Sequence, residues 1–260
     1  MMKSQKSALN FFLVWSILVF SLAFLYLPLI SPAIRSFGRI PDGGGIFSNY
    51  RAIFEDQLLV QGIYNTMIIG GFVAVITPAL ALAIAQALRS WRRPRLILSL
   101  VLLPLFIPGV SMGVATALFF QVLGLNASLA TMIVVQVIWA LPFATLVILT
   151  VMSSFDEVFL EAGQMLGANR WQAFWEIEFP QIWQGVLGGA IFSLILSFNE
   201  TIRTSIVQGG QNTVQTYLWS QYQQVGLSPN LYALMTGLIV LTLVLVGILA
   251  IAERRWQRSQ

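Results

Sequence analysis

The sequence predicts an all-α membrane protein of about six transmembrane helices, and three observations carry that prediction. The chain is 57% hydrophobic. Only 9% of its residues are charged, against about a quarter in soluble domains, so it lacks the polar surface to cover a water-soluble core. The apolar residues also fall in long runs, several near the roughly 20 residues that a helix needs to cross the hydrocarbon layer.

The first run covers residues 9–30, behind Lys3 and Lys6. It is too long for the apolar core of a signal peptide and is expected to be retained as a span ending at Pro28 and Pro32. Further spans are expected over residues 64–88, 96–123, 129–152, 182–207 and 231–252. Nothing between them is long enough for a second, soluble domain, so residues 1–260 are expected to form one transmembrane domain. Pro78, Pro104, Pro108 with Gly109, and Pro142 interrupt the runs, and a bundle tolerates such breaks where neighbours satisfy the freed backbone groups.

Orientation follows from the loop lysines and arginines. One side collects ten: Lys3, Lys6, Arg89, Arg92, Arg93, Arg95, Arg170, Arg254, Arg255 and Arg258. The other has four: Arg35, Arg39, Arg51 and Arg203. That bias places both termini in the cytoplasm, with residues 31–60 and 208–230 outside. The outer segment carries Gln208, Gln211, Asn212, Gln215, Gln221, Gln223 and Gln224 with no charge, and Tyr217, Trp219 and Tyr222 suit the membrane interface.

Composition also excludes chemistry. Without cysteine or histidine there is no disulfide, no thiolate, and none of the usual ligands of a zinc site. A net charge of +4 is too small to imply nucleic-acid binding. No Gly-x-x-x-x-Gly-Lys-Ser/Thr loop occurs, so no nucleotide cofactor is expected on this chain.

The long loop 153–181 carries its own helix signals. Ser154 and Glu157 have capping-box spacing, followed by Phe159, Ala162, Gly163 and Leu166 on one helical face. Gly167 suits a C-terminal stop, and Asn169 with Gln172 a second cap. A second short helix is expected to reach Ile177, with Pro180 opening the next span. The loop holds Asp156, Glu157, Glu161, Glu176 and Glu178 against Arg170 alone, a balance that disfavours an anionic membrane surface and favours a protein partner.

Glu161, Ala162 and Gly163, then Gly167 and Ala168, then Phe174, Ile177 and Pro180 resemble the cytoplasmic signature of ABC importer permeases. The pattern has alanine at Gly163 and leucine at Phe179. Asn65 with Thr66, Leu103 with Pro104, Pro108 with Gly109, Pro142 with Phe143, residues 197–200 and residues 225–229 extend the resemblance along the chain, toward the spermidine/putrescine-type branch. It implies a type I importer fold in which loop 153–181 is the coupling helix. It also implies a second permease subunit, two ATP-binding subunits that hold ATP and magnesium, and an external solute-binding protein.

Within the membrane, Glu200 and Arg203 need a reason, since an ionisable group there costs about 2.5–3.5 kcal/mol. At i, i+3 they are expected to face each other, either as a structural pair or, with Asn199, as part of the solute path. Polyamine permeases that resemble this chain carry two adjacent acids here. Asn199 in place of one, and the added Arg203, weigh against a polycation within the expected class of small hydrophilic, polyamine-like solutes. The rivals are a membrane enzyme, which lacks clustered catalytic groups, and a secondary carrier or channel without an ATPase, for which no internal repeat is visible.

Overall fold

A computed structural model describes residues 2–37 and 45–257. Arg39, Gly44, Arg258 and Gln260 lie outside the described residues. All regular structure among the described residues is helical: α1 (Met2–Ser36), α2 (Ser48–Glu55), α3 (Gln57–Ser90), α4 (Pro94–Leu102), α5 (Gly109–Val122), α6 (Leu129–Met152), α7 (Val158–Met165), α8 (Arg170–Gln172), α9 (Phe179–Phe198), α10 (Ile202–Val207), α11 (Val214–Gln224) and α12 (Pro229–Gln257). Five stretches are long and apolar enough to cross a membrane, and α4 with α5 makes a sixth if the pair is one span.

The chain divides into two compact units: residues up to Asp56 with Gln221–Leu241, and Gln57–Ser220 with Thr242 onward. In the first unit the end of α1 is closed by side chains. Asn49 Nδ2 donates to the Ser36 carbonyl at 2.9 Å, and the Tyr50 hydroxyl donates to Ser36 Oγ at 2.8 Å. Arg35 Nη1 donates to the Tyr232 hydroxyl at 3.1 Å.

The second unit is built on α3, α6 and α9. Lipid tails are as apolar as leucine, so small residues that admit close approach hold such helices together. A methyl on Gly70 would lie 2.7 Å from the Phe198 ring, and one on Gly185 would lie 2.8 Å from Val151 Cβ. Ile69 and Val73 of α3, Phe120 of α5, Met132, Val135, Val137 and Ala140 of α6 and Val207 of α10 form a buried cluster.

Four expected spans change shape. The first helix does not stop at Pro28 and Pro32 but runs through both to Ser36. The second begins earlier, at Gln57, so Asn65 and Thr66 lie two turns inside it. The third is broken: α4 and a 3-10 turn over Leu103–Phe106 meet α5 at 105°. Pro108 lacks a donor, and the residue before a proline is driven from the helical region; Ile107 is extended at φ −86°, ψ 126°. The fifth is longer at one end and shorter at the other. No separate second loop helix precedes Pro180: Arg170–Phe198 is one helix, with π geometry over Ala173–Glu178. It ends at Phe198, and α10 is a separate turn.

Candidate functional site

Two sites emerge in the second unit, one at each end of its helices. At the Arg89 end, segment 153–181 makes an arm. Asp156, rather than the expected Ser154, opens α7: its Oδ1 accepts from Val158 N at 3.0 Å. Glu157 occupies the cap position and makes no side-chain cap hydrogen bond. Gly167 closes the helix at φ +98°, with Ala168 N donating to the Gly163 carbonyl and Gly167 N to the Gln164 carbonyl, both at 3.0 Å. Those two bonds define a Schellman stop, which needs the left-handed region that glycine enters freely. Asn169 and Gln172 form the expected reciprocal cap: Gln172 N donates to Asn169 Oδ1 at 2.9 Å, and Asn169 N to Gln172 Oε1 at 3.0 Å.

The expected apolar face of α7 separates into two parts. Gly163 alone is buried, against Ile177, whose Cδ1 occupies the space an alanine methyl would take. Phe159, Ala162 and Leu166 are exposed, and Met165 and Leu166 at the tip are each 90% exposed. Glu161 is exposed with no partner among the described residues. Ala168 is half-buried and Pro180 exposed. Phe174 packs edge-on to Trp175, with ring centres 5.1 Å apart, and Trp175 lies 4.8 Å from Phe179.

One acid in this segment is not a surface charge. Glu178 is 1% exposed. Its Oε1 accepts from Arg89 Nη1 at 2.8 Å and from Gln86 Nε2 at 2.7 Å, and its Oε2 from Arg89 Nη2 at 2.9 Å. A planar guanidinium gripping both carboxylate oxygens is the geometry that specifies arginine over lysine. Arg89 Nε also lies 3.7 Å from Glu157 Oε1. Sequence reasoning missed this cluster, because the two charges are 89 residues apart and each looks like an ordinary loop charge.

At the opposite end, the chain breaks between α9 and α10, and polar side chains close both helix ends. Asn199 Nδ2 donates to the Ile195 carbonyl at 2.8 Å, ending α9. Glu200 Oε1 accepts from Arg203 N at 2.9 Å, opening α10. Glu200 Oε2 pairs with Arg203 Nη1 at 2.8 Å, and both residues are buried while Asn199 is exposed. The expected pair therefore forms, but across a helix break instead of along one helix. Arg203 Cζ sits 3.7 Å from the centre of the Trp139 ring, a cation–π contact, and a methyl on Gly109 would be 3.3 Å from the same atom.

Helix α6 holds this break. Gln136, 2% exposed, donates to Thr204 Oγ1 at 2.9 Å and accepts from Ser197 Oγ at 2.5 Å. Thr131 Oγ1 donates to the Val207 carbonyl at 2.9 Å. Gln136 also escaped sequence reasoning, although the signal was present: it is the one amide side chain in a 24-residue apolar helix, where a polar group has to find a partner on another helix. Nearer the start of α3, Asn65 Nδ2 donates to the Asn212 carbonyl at 2.8 Å, and Thr66 Oγ1 accepts from Val214 N at 2.9 Å, so segment 211–214 is latched to α3.

Comparison with known proteins agrees with this architecture. The family model described as "Binding-protein-dependent transport system inner membrane component" matches residues 76–258. The spermidine/putrescine transport system permease protein PotC of Haemophilus influenzae is 25% identical over 252 residues, covering 95% of this chain and 98% of its own. The sulfate transport system permease protein CysW of Synechococcus elongatus is 26% identical over 276 residues, covering 98% and 94%. Among solved structures, a chain of the bacterial alginate ABC transporter in complex with an alginate-bound periplasmic protein superposes with a TM-score of 0.67 at 19% identity, covering 98% of this chain and 96% of that one. A chain of the inward-facing MetNI methionine ABC transporter gives 0.61 at 21%, covering 78% and 95%. The helical arm, the broken spans and the family match together make this chain a member of the binding-protein-dependent transport system inner membrane components, the multi-pass permease subunits of ABC importers.

Proposed function

We propose that α7 and its Gly167 turn are the element through which an ATP-binding subunit drives this permease. The observation that carries the proposal is the tip of the arm: Met165 and Leu166 stand 90% exposed beside an unpaired Glu161. Leucine and methionine left bare on a short, rigidly capped helix are suited to a groove on a protein partner. Glu161, Ala162, Gly163, Gly167, Ala168, Phe174, Ile177 and Pro180 build or support that tip. The complex would hold a second permease subunit, two ATP-binding subunits carrying ATP and magnesium, and an external solute-binding protein. Both termini and segment 153–181 would face the cytoplasm. A carrier or channel without an ATPase would have no use for the arm.

The solute is a small hydrophilic molecule. The relatives' names span a polyamine and an oxyanion. We place Asn199, Glu200 and Arg203 on the path, at the break between α9 and α10. A purely structural role for the pair is favoured by one observation: Arg203 already occupies both Glu200 oxygens.

The test is reconstitution with the ATP-binding and solute-binding partners. Glu161→Lys reverses a charge at the docking surface, and Gly167→Leu distorts the turn. Both should insert normally and lose ATP-driven uptake. Normal co-purification with the ATPase together with normal uptake in both variants would refute the assignment.

A further inference from the structure

The arm and the bundle meet at a cluster that lies outside the signature residues. Arg89 is in the last turn of α3, and Gln86 is one turn before it. Glu178 ends the π-helical stretch of the arm. The Arg89 guanidinium grips both oxygens of Glu178 and reaches toward Glu157, the residue preceding α7. One side chain of α3 thus touches the arm where it leaves for α7 and where it returns from it. Gln86 completes the cluster: its Nε2 donates to Glu178 at 2.7 Å, and its Oε1 accepts from Arg89 Nη2 at 2.7 Å. The Glu157 contact is exposed and screened, so Glu178 carries the linkage.

We propose that Arg89, Gln86 and Glu178 form a strut that transmits displacement of the arm to α3, so that these three are positioning residues for transport. The proposal rests on the assignment of α7 as the ATPase-docking element. Helix α7 has one buried residue, Gly163, and it rests on Ile177. Force on α7 therefore reaches the π stretch at Ile177, and the adjacent Glu178 is bonded to the end of α3. From there α3 runs as one helix back to Gln57, where Asn65 and Thr66 hold segment 211–214. A bidentate pair whose carboxylate is buried has a single favourable geometry, so it moves as a unit and does not slide. Without it, α7 and α9 would move while α3 lagged.

The experiment uses the assembled transporter in liposomes and reads solute moved per ATP hydrolysed. Glu178→Gln and the double variant Arg89→Gln/Glu178→Gln, which leaves no unpaired charge, should both assemble and hydrolyse ATP. Their solute-to-ATP ratio should fall about fivefold or more. Arg89→Lys, which keeps the charge but loses the fork, should fall between them and the parent. Glu161→Lys and Gly167→Leu serve as the controls for the docking assignment: normal assembly and uptake in both variants defeats the assignment itself. If Glu161→Lys is defective while the double variant keeps the parental ratio, the strut is refuted and the docking element stands. Failure of the double variant to assemble would show that the pair serves folding alone, and would also overturn the strut.

Discussion

Arg203 donates to Glu200 across 2.8 Å while its guanidinium lies 3.7 Å from the centre of the Trp139 ring. Removing one partner of such a buried pair leaves the other charge without compensation, at a cost of about 3–5 kcal/mol. Glu200→Gln should therefore lower folded yield and thermal stability, and Arg203→Met added to it should recover most of the loss. Purified yield and uptake, scored separately over the four-variant cycle, check this. Full recovery of yield with normal uptake in the double variant would remove both residues from the solute path. A second residue-scale prediction concerns Gly167. Nothing lies within 4 Å of a methyl built there, so crowding is not the issue; the φ of +98° is. Gly167→Ala and Gly167→Leu should then cost similar amounts, about 1–2 kcal/mol in the turn, and Gly167→Asn less. Uptake that declines in steps with side-chain size would show that space, not backbone, is what Gly167 supplies. The turn was legible in the sequence because glycine at a helix end is a local signal, and so was the Asn169 cap. The Glu178–Arg89 pair was not, because nothing in either residue's neighbourhood names a partner in another helix.

At the scale of elements, the helix breaks were the least legible feature. Pro78 and Pro142 lie inside unbroken helices, whereas Pro108 stands at a break, as the N-cap of α5. The residue type is the same, and the outcome depends on what neighbouring helices offer the freed groups. The break at 199–201 is hidden for a different reason: apolar residues resume at Ile202, so hydropathy runs on while Asn199 and Glu200 bond backbone groups in place of the helix ladder. Helix α6, by contrast, covers Leu129–Met152, the residues expected from hydropathy alone. The short element α10 is seated on α5 through Gly113. A methyl there would meet Ile206 Cδ1 at 2.6 Å and the Arg203 Cα at 3.3 Å. The first contact is the end of a side chain, but the second is backbone. Gly113→Val should cost about 1–3 kcal/mol, and Ile206→Val should return only part of it. Thermal unfolding of the three variants tests this, and complete rescue by Ile206→Val would show that the backbone contact is unimportant.

For the whole molecule, the second unit has two polar ends. In the first turns of helix α3, Gln61 and Asn65 are bonded to Gln211 and Asn212, and in its last turn Arg89 is bonded to Glu178. Its 34 residues span about 51 Å, enough to cross a bilayer with its headgroups. The arm, Arg92, Arg93 and Arg95 all follow or adjoin the Arg89 end in this unit, the end for which the loop bias predicts a cytoplasmic position. The chain has no native cysteine, so single cysteines can be placed at will. A cysteine at position 92 or 260 should react with an impermeant thiol reagent only from the cytoplasmic side, and one at position 44 only from outside. Labelling of position 44 from the cytoplasmic side would invert the orientation.

The π stretch over Ala173–Glu178 has a consequence for anyone exchanging arms between relatives. An α-helix turns about 100° per residue, so a stretch wound more loosely over six residues fixes the compass bearing of everything beyond it. Tightening it to α geometry, or dropping one residue from it, would swing Arg170 and α7 around the axis of α9 while leaving every membrane contact of α9 in place. Chimaeras should therefore be joined before Arg170 or after Phe179. A junction inside the stretch would give a permease that inserts and packs normally with the tip proposed to dock on the ATPase aimed at the wrong quarter.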